Sequence, residues 1–228
     1  MILQEVFPNP GNTGPLELEN TEALGSWYPQ VIGLRVNFVL GKKYDTTFLS
    51  DPISDEADRL LLKFVRSQSD LIVTTGKTAR AENLSASNYA NLLIVTNSDV
   101  PLAIPATDAN KGLPVMVTQR LETDYPNISA GAIGKIQEPI TQFVMAFCRA
   151  NSYKRPVLES GPTTISEFAK ANFITEMNLT VTGAHDRSEA EEQALIFLGQ
   201  IGFRPELIQI LNHEKTWFFR FGSSSTSH

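Results

Sequence analysis

The chain has 228 residues, of which 42% are hydrophobic and 19% charged, and its formal net charge at pH 7 is −6. This length and composition predict one substantial hydrophobic core, with a single domain as the default. An acidic balance without a basic cluster argues against a nucleic-acid partner. The sequence contains neither an apolar run of about 18 residues nor a signal-peptide pattern, so we expect no membrane contact and a cytoplasmic protein.

The single cysteine and the three histidines carry no predicted chemistry. Cys148 lies in an apolar helical stretch without a histidine beside it, so we expect a buried structural thiol rather than a nucleophile. His185, His213 and His228 show no metal-ligand spacing with one another or with carboxylates. We therefore predict no metal site.

The chain divides into three predicted parts. Residues 1–30 are broken by prolines and glycines, which is typical of an irregular N-terminal arm. Residues 31–221 contain the regular elements of one domain, and residues 222–228 form a polar tail whose end is expected to fray.

Strands and helices alternate at the start of this domain. A strand over residues 31–40 and a loop over 41–53 precede a helix from Ser54 to Arg66, with Ser54 as its N-cap. The apolar run from Leu71 to Val73 predicts a short buried strand. A polar loop, Thr74–Thr78, follows, in which Gly76 lets the backbone approach a ligand closely. The hydroxyl groups beside this glycine are candidate ligand contacts.

The rest of the domain continues the alternation. The predicted elements are strands at 92–96 and 114–118, a turn-rich loop at 125–134, a helix at 138–150, a strand at 156–158, a helix at 163–171, and strands at 178–182 and 207–221. Alternating strands and helices predict an α/β sheet with parallel pairs, and the closing hairpin makes that sheet mixed.

Residues 157–163 form the most informative motif, Val-Leu-Glu-Ser-Gly-Pro-Thr. A short strand feeds a glycine turn and then a helix start, where free backbone N–H groups and the helix dipole favour an anion. Glu159 lies at the strand's end, where α/β sheets place their chemistry. The alternative is a tight connection without a ligand.

Several motifs occur in an order that resembles one enzyme family. They are RVNFV at 35–39, ADR at 57–59, the run from Asp70 to Glu82, LESGPT at 158–163, the strand-like stretch 173–179 and the closing segment 207–221. Together they resemble the riboflavin-biosynthesis pyrimidine reductases, over about residues 30–221. The resemblance implies a dihydrofolate-reductase-like fold, namely a three-layer α/β sandwich with a mixed, mostly parallel sheet. It also implies that the strands Ile72–Val73 and Val157–Leu158 are adjacent.

The resemblance further implies an NADPH-dependent reductase that transfers hydride to a small heterocyclic substrate. It also implies a homodimer, and we predict the aromatic segment 207–221 as the dimer interface. By resemblance, three groups of residues bind the cofactor: Thr75, Gly76 and Thr78 on the nicotinamide side, Ser160, Gly161, Pro162 and Thr163 at the pyrophosphate, and Thr96 and Ser98 near the adenosine ribose. For Thr96 and Ser98 the alternative is ordinary turn chemistry.

The predicted substrate site departs from the family pattern. Ser50, Arg66 and Glu82 match substrate-binding positions, and Glu159 matches the strand-end glutamate to which we assign the catalytic role. For Arg66 the alternative is a solvated cation at a helix end. The family's Ser-Leu-Asp-Gly loop and one of its arginines have no counterpart, and Lys77 replaces a glycine. Two further readings therefore stay open: a reductase with another substrate, and a non-catalytic descendant that binds a nucleotide or serves as an assembly partner.

Overall fold

Ten strands of the described chain form one mixed sheet, with six helices packed on its faces. The computed structural model describes residues 1–8, 16–41, 54–98, 102–107, 112–118 and 138–223. The strands are β1 (Ile2–Phe7), β2 (Leu16–Glu17), β3 (Leu34–Leu40), β4 (Leu71–Thr75), β5 (Asn91–Val95), β6 (Val115–Val117), β7 (Pro156–Leu158), β8 (Ile174–Thr182), β9 (Pro205–His213) and β10 (Thr216–Ser223). The helices are α1 (Thr21–Trp27), α2 (Glu56–Ser67), α3 (Gly76–Ala81), α4 (Ile140–Ala150), α5 (Pro162–Lys170) and α6 (Arg187–Ile201), with a short 3₁₀ turn at Pro105–Thr107.

The order of strands in the sheet is β2-β1-β9-β10-β8-β3-β7-β4-β5-β6. The pairs from β8 to β6 in this order are parallel, and those from β2 to β8 are antiparallel. The predicted neighbours are indeed adjacent, because Ile72 pairs with Val157 and Val73 with Leu158. The expected mixed α/β sheet is therefore confirmed.

Alternation along the strands divides the core between two faces of the sheet. On β4, Leu71 and Val73 pack with α4, α5 and α6, whereas Ile72 packs with α1, α2 and α3. Because successive side chains of a strand point to opposite faces, a strand buried on both sides reads as a continuous apolar run. The three-layer arrangement follows, and it confirms the predicted fold class.

Three local predictions are wrong. Residues 1–30 are not an irregular arm where they are described, since they contain β1, β2 and α1. The N-cap of α2 is Asp55, whose side chain accepts from the Asp58 N–H; the Ser54 hydroxyl instead donates to the Asp58 carboxylate. The predicted polar loop Thr74–Thr78 is the end of β4 joined directly to α3.

The closing hairpin is part of the core. Trp217, Phe219 and Phe221 on β10 are buried and pack on the α6 side. These aromatic side chains are thus unavailable as the interface that the sequence predicted. Cys148 on α4 is buried as expected, and burial raises the pKa of its thiol to about 11. Among the described helices, none has the length and apolar character needed to cross a membrane.

Candidate functional site

The carboxyl ends of three parallel strands meet at one edge of the sheet. Here β7, β4 and β5 are consecutive neighbours, and they end at Leu158, Thr75 and Val95. In open α/β sheets, ligands bind outside this edge. Most of the predicted site residues follow directly after one of these three strands.

Hydroxyl groups link the ends of β4 and β7. Thr75 is the N-cap of α3, and its Oγ1 accepts from the Thr78 N–H at 3.3 Å. The Thr75 and Thr78 hydroxyl oxygens are 3.1 Å apart. Ser160, which is buried, donates from its Oγ to Thr75 Oγ1 at 3.4 Å. The structure therefore brings these three predicted residues together.

Helix α5 begins at this edge without a side-chain cap. Gly161 is its N-cap, with φ −69° and ψ 164°, and Pro162 occupies the first helical position. Because the N-cap is a glycine, no cap side chain bonds to the first-turn N–H groups. Thr163, in that turn, is exposed. Such a helix start carries partial positive charge and free donors, which suit an anionic group.

Gly76 and Thr96 are in close contact between the ends of β4 and β5. A Cβ built on Gly76 would lie 2.6 Å from Cβ and 2.7 Å from Oγ1 of Thr96. Only glycine fits here without moving its neighbour. Thr96 Oγ1 also accepts from the Ser98 N–H at 3.2 Å. Thr96 and Ser98 therefore make an ordinary turn, and this turn lies at the same edge of the sheet as the other predicted residues.

Arg66 and Glu159 form a bidentate ion pair. Arg66 Nε lies 2.9 Å from Glu159 Oε1, and the second guanidinium nitrogen, Nη2, lies 2.6 Å from Oε2. The two side chains are 22% and 15% exposed, so Arg66 is not the solvated helix-end cation offered as its alternative. The carboxylate of Glu159 raises the pKa of the Arg66 guanidinium, and Glu82 adds a smaller contribution in the same direction.

The remaining predicted substrate residues are placed differently. Glu82 is the C-cap of α3 and is exposed, and its effect on Arg66 puts it within electrostatic reach of the ion pair. Ser50 lies outside the described residues. Lys77 is exposed on α3. The structure thus unites Arg66 and Glu159 and places Glu82 near them.

Two buried polar residues were not predicted from the sequence. Asp58 on α2 is buried and accepts from the Ser54 hydroxyl at 2.6 Å, and burial raises the pKa of its carboxyl. Thr118, directly after β6, bonds through its hydroxyl to the backbone of Thr96. A carboxylate within the ADR motif was a signal for Asp58, whereas nothing in the sequence marks Thr118.

Taken together, the edge offers a helix start for an anion, clustered hydroxyl groups and one paired carboxylate. Within the described residues, no group of three His, Cys, Asp or Glu side chains is arranged to hold a metal ion. The helix start and the hydroxyl groups suit a phosphate-bearing ligand.

Solved structures with this architecture are known. A pyrimidine reductase-like protein from Corynebacterium diphtheriae superposes with a TM-score of 0.63 at 15% identity, over 86% of this chain and 93% of that one. The chain has the fold of the pyrimidine reductases. RibD from Acinetobacter baumannii gives a TM-score of 0.60 at 16% identity, covering 89% of this chain. The riboflavin biosynthesis reductase Rib7 from Saccharomyces cerevisiae gives 0.55 at 11%, over 85% of this chain and 90% of that one.

These similarities establish the fold, and they differ in the share of the other protein that this chain covers. The chain spans 61% of the Acinetobacter RibD protein, so the whole of that protein is not represented here. No protein-family model and no curated protein matches the sequence.

Proposed function

We propose that the chain is a cytoplasmic, NADPH-dependent reductase that transfers hydride to a small heterocyclic substrate. The observation that carries this proposal is the uncapped start of α5 at the shared edge of β7, β4 and β5. The pyrimidine reductase fold supports the reaction class. The assignment to NADPH and the homodimeric assembly remain proposals based on the sequence resemblance.

The residues present fit a dinucleotide cofactor. Gly161 and the N–H groups of the first turn of α5 would hold the pyrophosphate, because the N-cap has no side chain that competes for those donors. Thr75, Gly76 and Thr78 would line the nicotinamide side. When bound, the cofactor supplies the hydride, while the protein supplies orientation and charge.

Thr96 and Ser98 would hold the adenosine ribose, and the pair Arg66–Glu159 would orient the substrate. Arg66 gives Glu159 the cation that a half-buried carboxylate requires, and it fixes the carboxylate through two hydrogen bonds. Glu82 and Ser50 complete the proposed substrate-binding set.

The riboflavin intermediate itself is a poor candidate as substrate. The sequence lacks the family's Ser-Leu-Asp-Gly loop after Val39 and one of its arginines. We therefore expect weak or no turnover of the ribosylamino-pyrimidine phosphate, with cofactor binding retained. The second candidate is a non-catalytic descendant that binds a nucleotide. The same loss favours it, and so does the ion pair in which Arg66 and Glu159 already neutralise each other's charge.

A fluorescence titration with NADPH tests the cofactor proposal. Wild type should bind NADPH in preference to NADH, and Gly161→Val should weaken binding at least tenfold, about 1.4 kcal/mol, because the side chain blocks backbone approach. Gly199→Val is the matched control, since a Cβ at this exposed position on α6 meets no atom within 4 Å. Unchanged affinity in a folded Gly161 variant would show that the turn is only structural.

Oxidation of NADPH in the presence of candidate substrates then separates catalyst from descendant. Wild type and Glu159→Gln are compared with the ribosylamino-pyrimidine phosphate and with other small heterocycles. Robust wild-type turnover of the first compound would refute the substrate argument. Full activity of the glutamine variant on any substrate would refute the role given to Glu159, and binding without any turnover would favour the descendant.

A further inference from the structure

One hydroxyl group closes the end of β5. Parallel pairing between β5 and β6 runs from Leu92–Val115 to Ile94–Val117, after which the Thr118 N–H donates to the Ile94 carbonyl at 3.2 Å. Beyond that point the side chain of Thr118, and not its backbone, makes the hydrogen bonds to Thr96. Thr118 Oγ1 accepts from the Thr96 N–H at 2.8 Å and donates to the Thr96 carbonyl at 2.7 Å.

Both residues of this link are buried. Thr118 is fully buried and Thr96 is 7% exposed. Water therefore cannot replace the two bonds if the hydroxyl is lost, and an unsatisfied buried N–H or C=O is unfavourable. The Thr118 hydroxyl is thus required to hold the backbone of Thr96 in place.

Thr96 is held from the opposite side as well. The close approach of Gly76 leaves no room for Thr96 to shift towards α3. Its side chain in turn accepts from the Ser98 N–H, which fixes the turn after β5. Gly76, Thr96 and Thr118 therefore connect the ends of β4, β5 and β6 in one continuous contact.

We propose that Thr118 is a positioning residue for the adenosine half of the cofactor, an inference that rests on the proposed reductase function. It acts through Thr96 and Ser98, the residues assigned to the adenosine ribose, because its hydrogen bonds go to Thr96 and Ile94 and to no residue assigned to the nicotinamide side. Its loss weakens binding of the adenosine half selectively.

Calorimetric titration of wild type, Thr118→Val and Thr118→Ser tests this role. The ligands are NADPH, adenosine 2′,5′-bisphosphate for the adenosine half, and reduced nicotinamide mononucleotide for the other half. The valine variant should bind NADPH and the bisphosphate about tenfold more weakly, and the mononucleotide within about twofold of wild type. Serine retains the hydroxyl, so it should restore both affinities to within about twofold.

Thr107→Val is the matched control. Thr107 is also buried, and its hydroxyl donates to the Leu102 and Ile104 carbonyls at 2.8 Å, neither of which belongs to a proposed site residue. Its substitution should leave the affinity for all three ligands unchanged. Thr118→Ala replaces the valine variant if the latter does not fold.

Each alternative outcome is distinct. Equal weakening of both half-ligands, the same loss in Thr107→Val, or no loss in Thr118→Val would each overturn the positioning role while leaving the cofactor proposal intact. Failure of wild type to bind NADPH or the bisphosphate would overturn the proposed function itself, and the role of Thr118 with it.

Discussion

At the scale of single residues, Arg66 and Glu159 show how far a sequence can predict a site. Arg66 was proposed because it matches a substrate position of the resembling family, and Glu159 because it also lies at a strand end. Their bidentate contact joins residues 93 positions apart in the chain. No local pattern predicts such a contact, because it depends on how α2 crosses the sheet. The pairing that satisfies the carboxylate could therefore not be read from either position, and the roles of the two residues in a site stay predictions.

Asp58 shows a related limit, because its burial cannot be read from a motif. The capping pattern at Ser54 predicted a helix start just before the ADR run, and α2 begins at Glu56. In the structure the carboxyl group is enclosed, and burial raises its pKa above the ordinary value of 3.8, opposed by hydrogen bonds from Ser54 and Thr180. The charged form is thus less favourable in the folded chain than in the unfolded one.

This difference predicts a pH dependence of stability. The contribution of Asp58 is fully present below the unfolded pKa, and it is lost as the pH rises through the raised, folded pKa. The free energy of unfolding of wild type should therefore fall relative to that of Asp58→Asn as the pH rises above about 4, by up to about 1.4 kcal/mol per pH unit. Urea titrations of both chains between acidic and neutral pH measure this. A difference that stays constant with pH would contradict it.

At the scale of elements, three neighbouring strands are joined by buried charges. Glu176 on β8 lies between Arg35 on β3 and Arg220 on β10, at 2.9 Å from a guanidinium nitrogen of each. The arginines also donate to backbone carbonyls, Arg35 to Pro29 at 2.7 Å and Arg220 to Trp27. Each of the three is the single charged residue of its strand, which the sequence shows, but the sequence does not show how the three charges pair.

Removing the central carboxylate should be strongly destabilising. Glu176→Gln leaves two buried guanidinium groups without a counter-charge, and such changes cost about 3–5 kcal/mol. The matched control is Glu191→Gln, which breaks the half-exposed pair with Arg187 on α6 and should cost no more than about 0.5 kcal/mol. Urea unfolding midpoints and slopes of the two variants give both values. Equal small losses would mean that the buried charges contribute little to the fold.

The elements themselves were more predictable than their ends. Apolar runs predicted β4, β5 and β7, and helical spacing predicted α2, α4 and α5. Asp55 rather than Ser54 caps α2, since both residue types suit that position and only the backbone decides between them. The predicted polar loop after Val73 is strand and helix in the structure, because the pairing of β4 with β5 continues through Thr75.

At the scale of the whole molecule, the N-terminal segment shows why local composition fails. Prolines and glycines in residues 1–30 predicted an irregular arm, yet β1 pairs with β9 some two hundred residues later, at Gln4–Asn212 and Glu5–Leu211. Leu3, Leu24 and Tyr28 are completely or almost completely buried. Long-range pairing and burial override the local propensity here.

Tyr28 ties this segment to the rest of the core. Its ring lies over the Arg220 guanidinium, with 5.2 Å from the carbon to the ring centroid, and no described residue bonds to its hydroxyl. If the segment is integral to the fold, Tyr28→Ala should destabilise the chain by about 3–5 kcal/mol, through a large cavity and a lost cation–π contact. Tyr28→Phe keeps the ring and should stay within about 1 kcal/mol of wild type.

Thermal and urea unfolding of these two variants test whether the N-terminal segment is integral to the fold. A large loss confined to the alanine variant assigns the stabilisation to the ring, and therefore to the packing of residues 1–30 against β10. The sheet then depends on a strand and a helix that precede the motifs resembling the reductases, because the carbonyls of Trp27 and Pro29 also satisfy Arg220 and Arg35. An alanine variant as stable as wild type would mean that the segment is peripheral to the core after all.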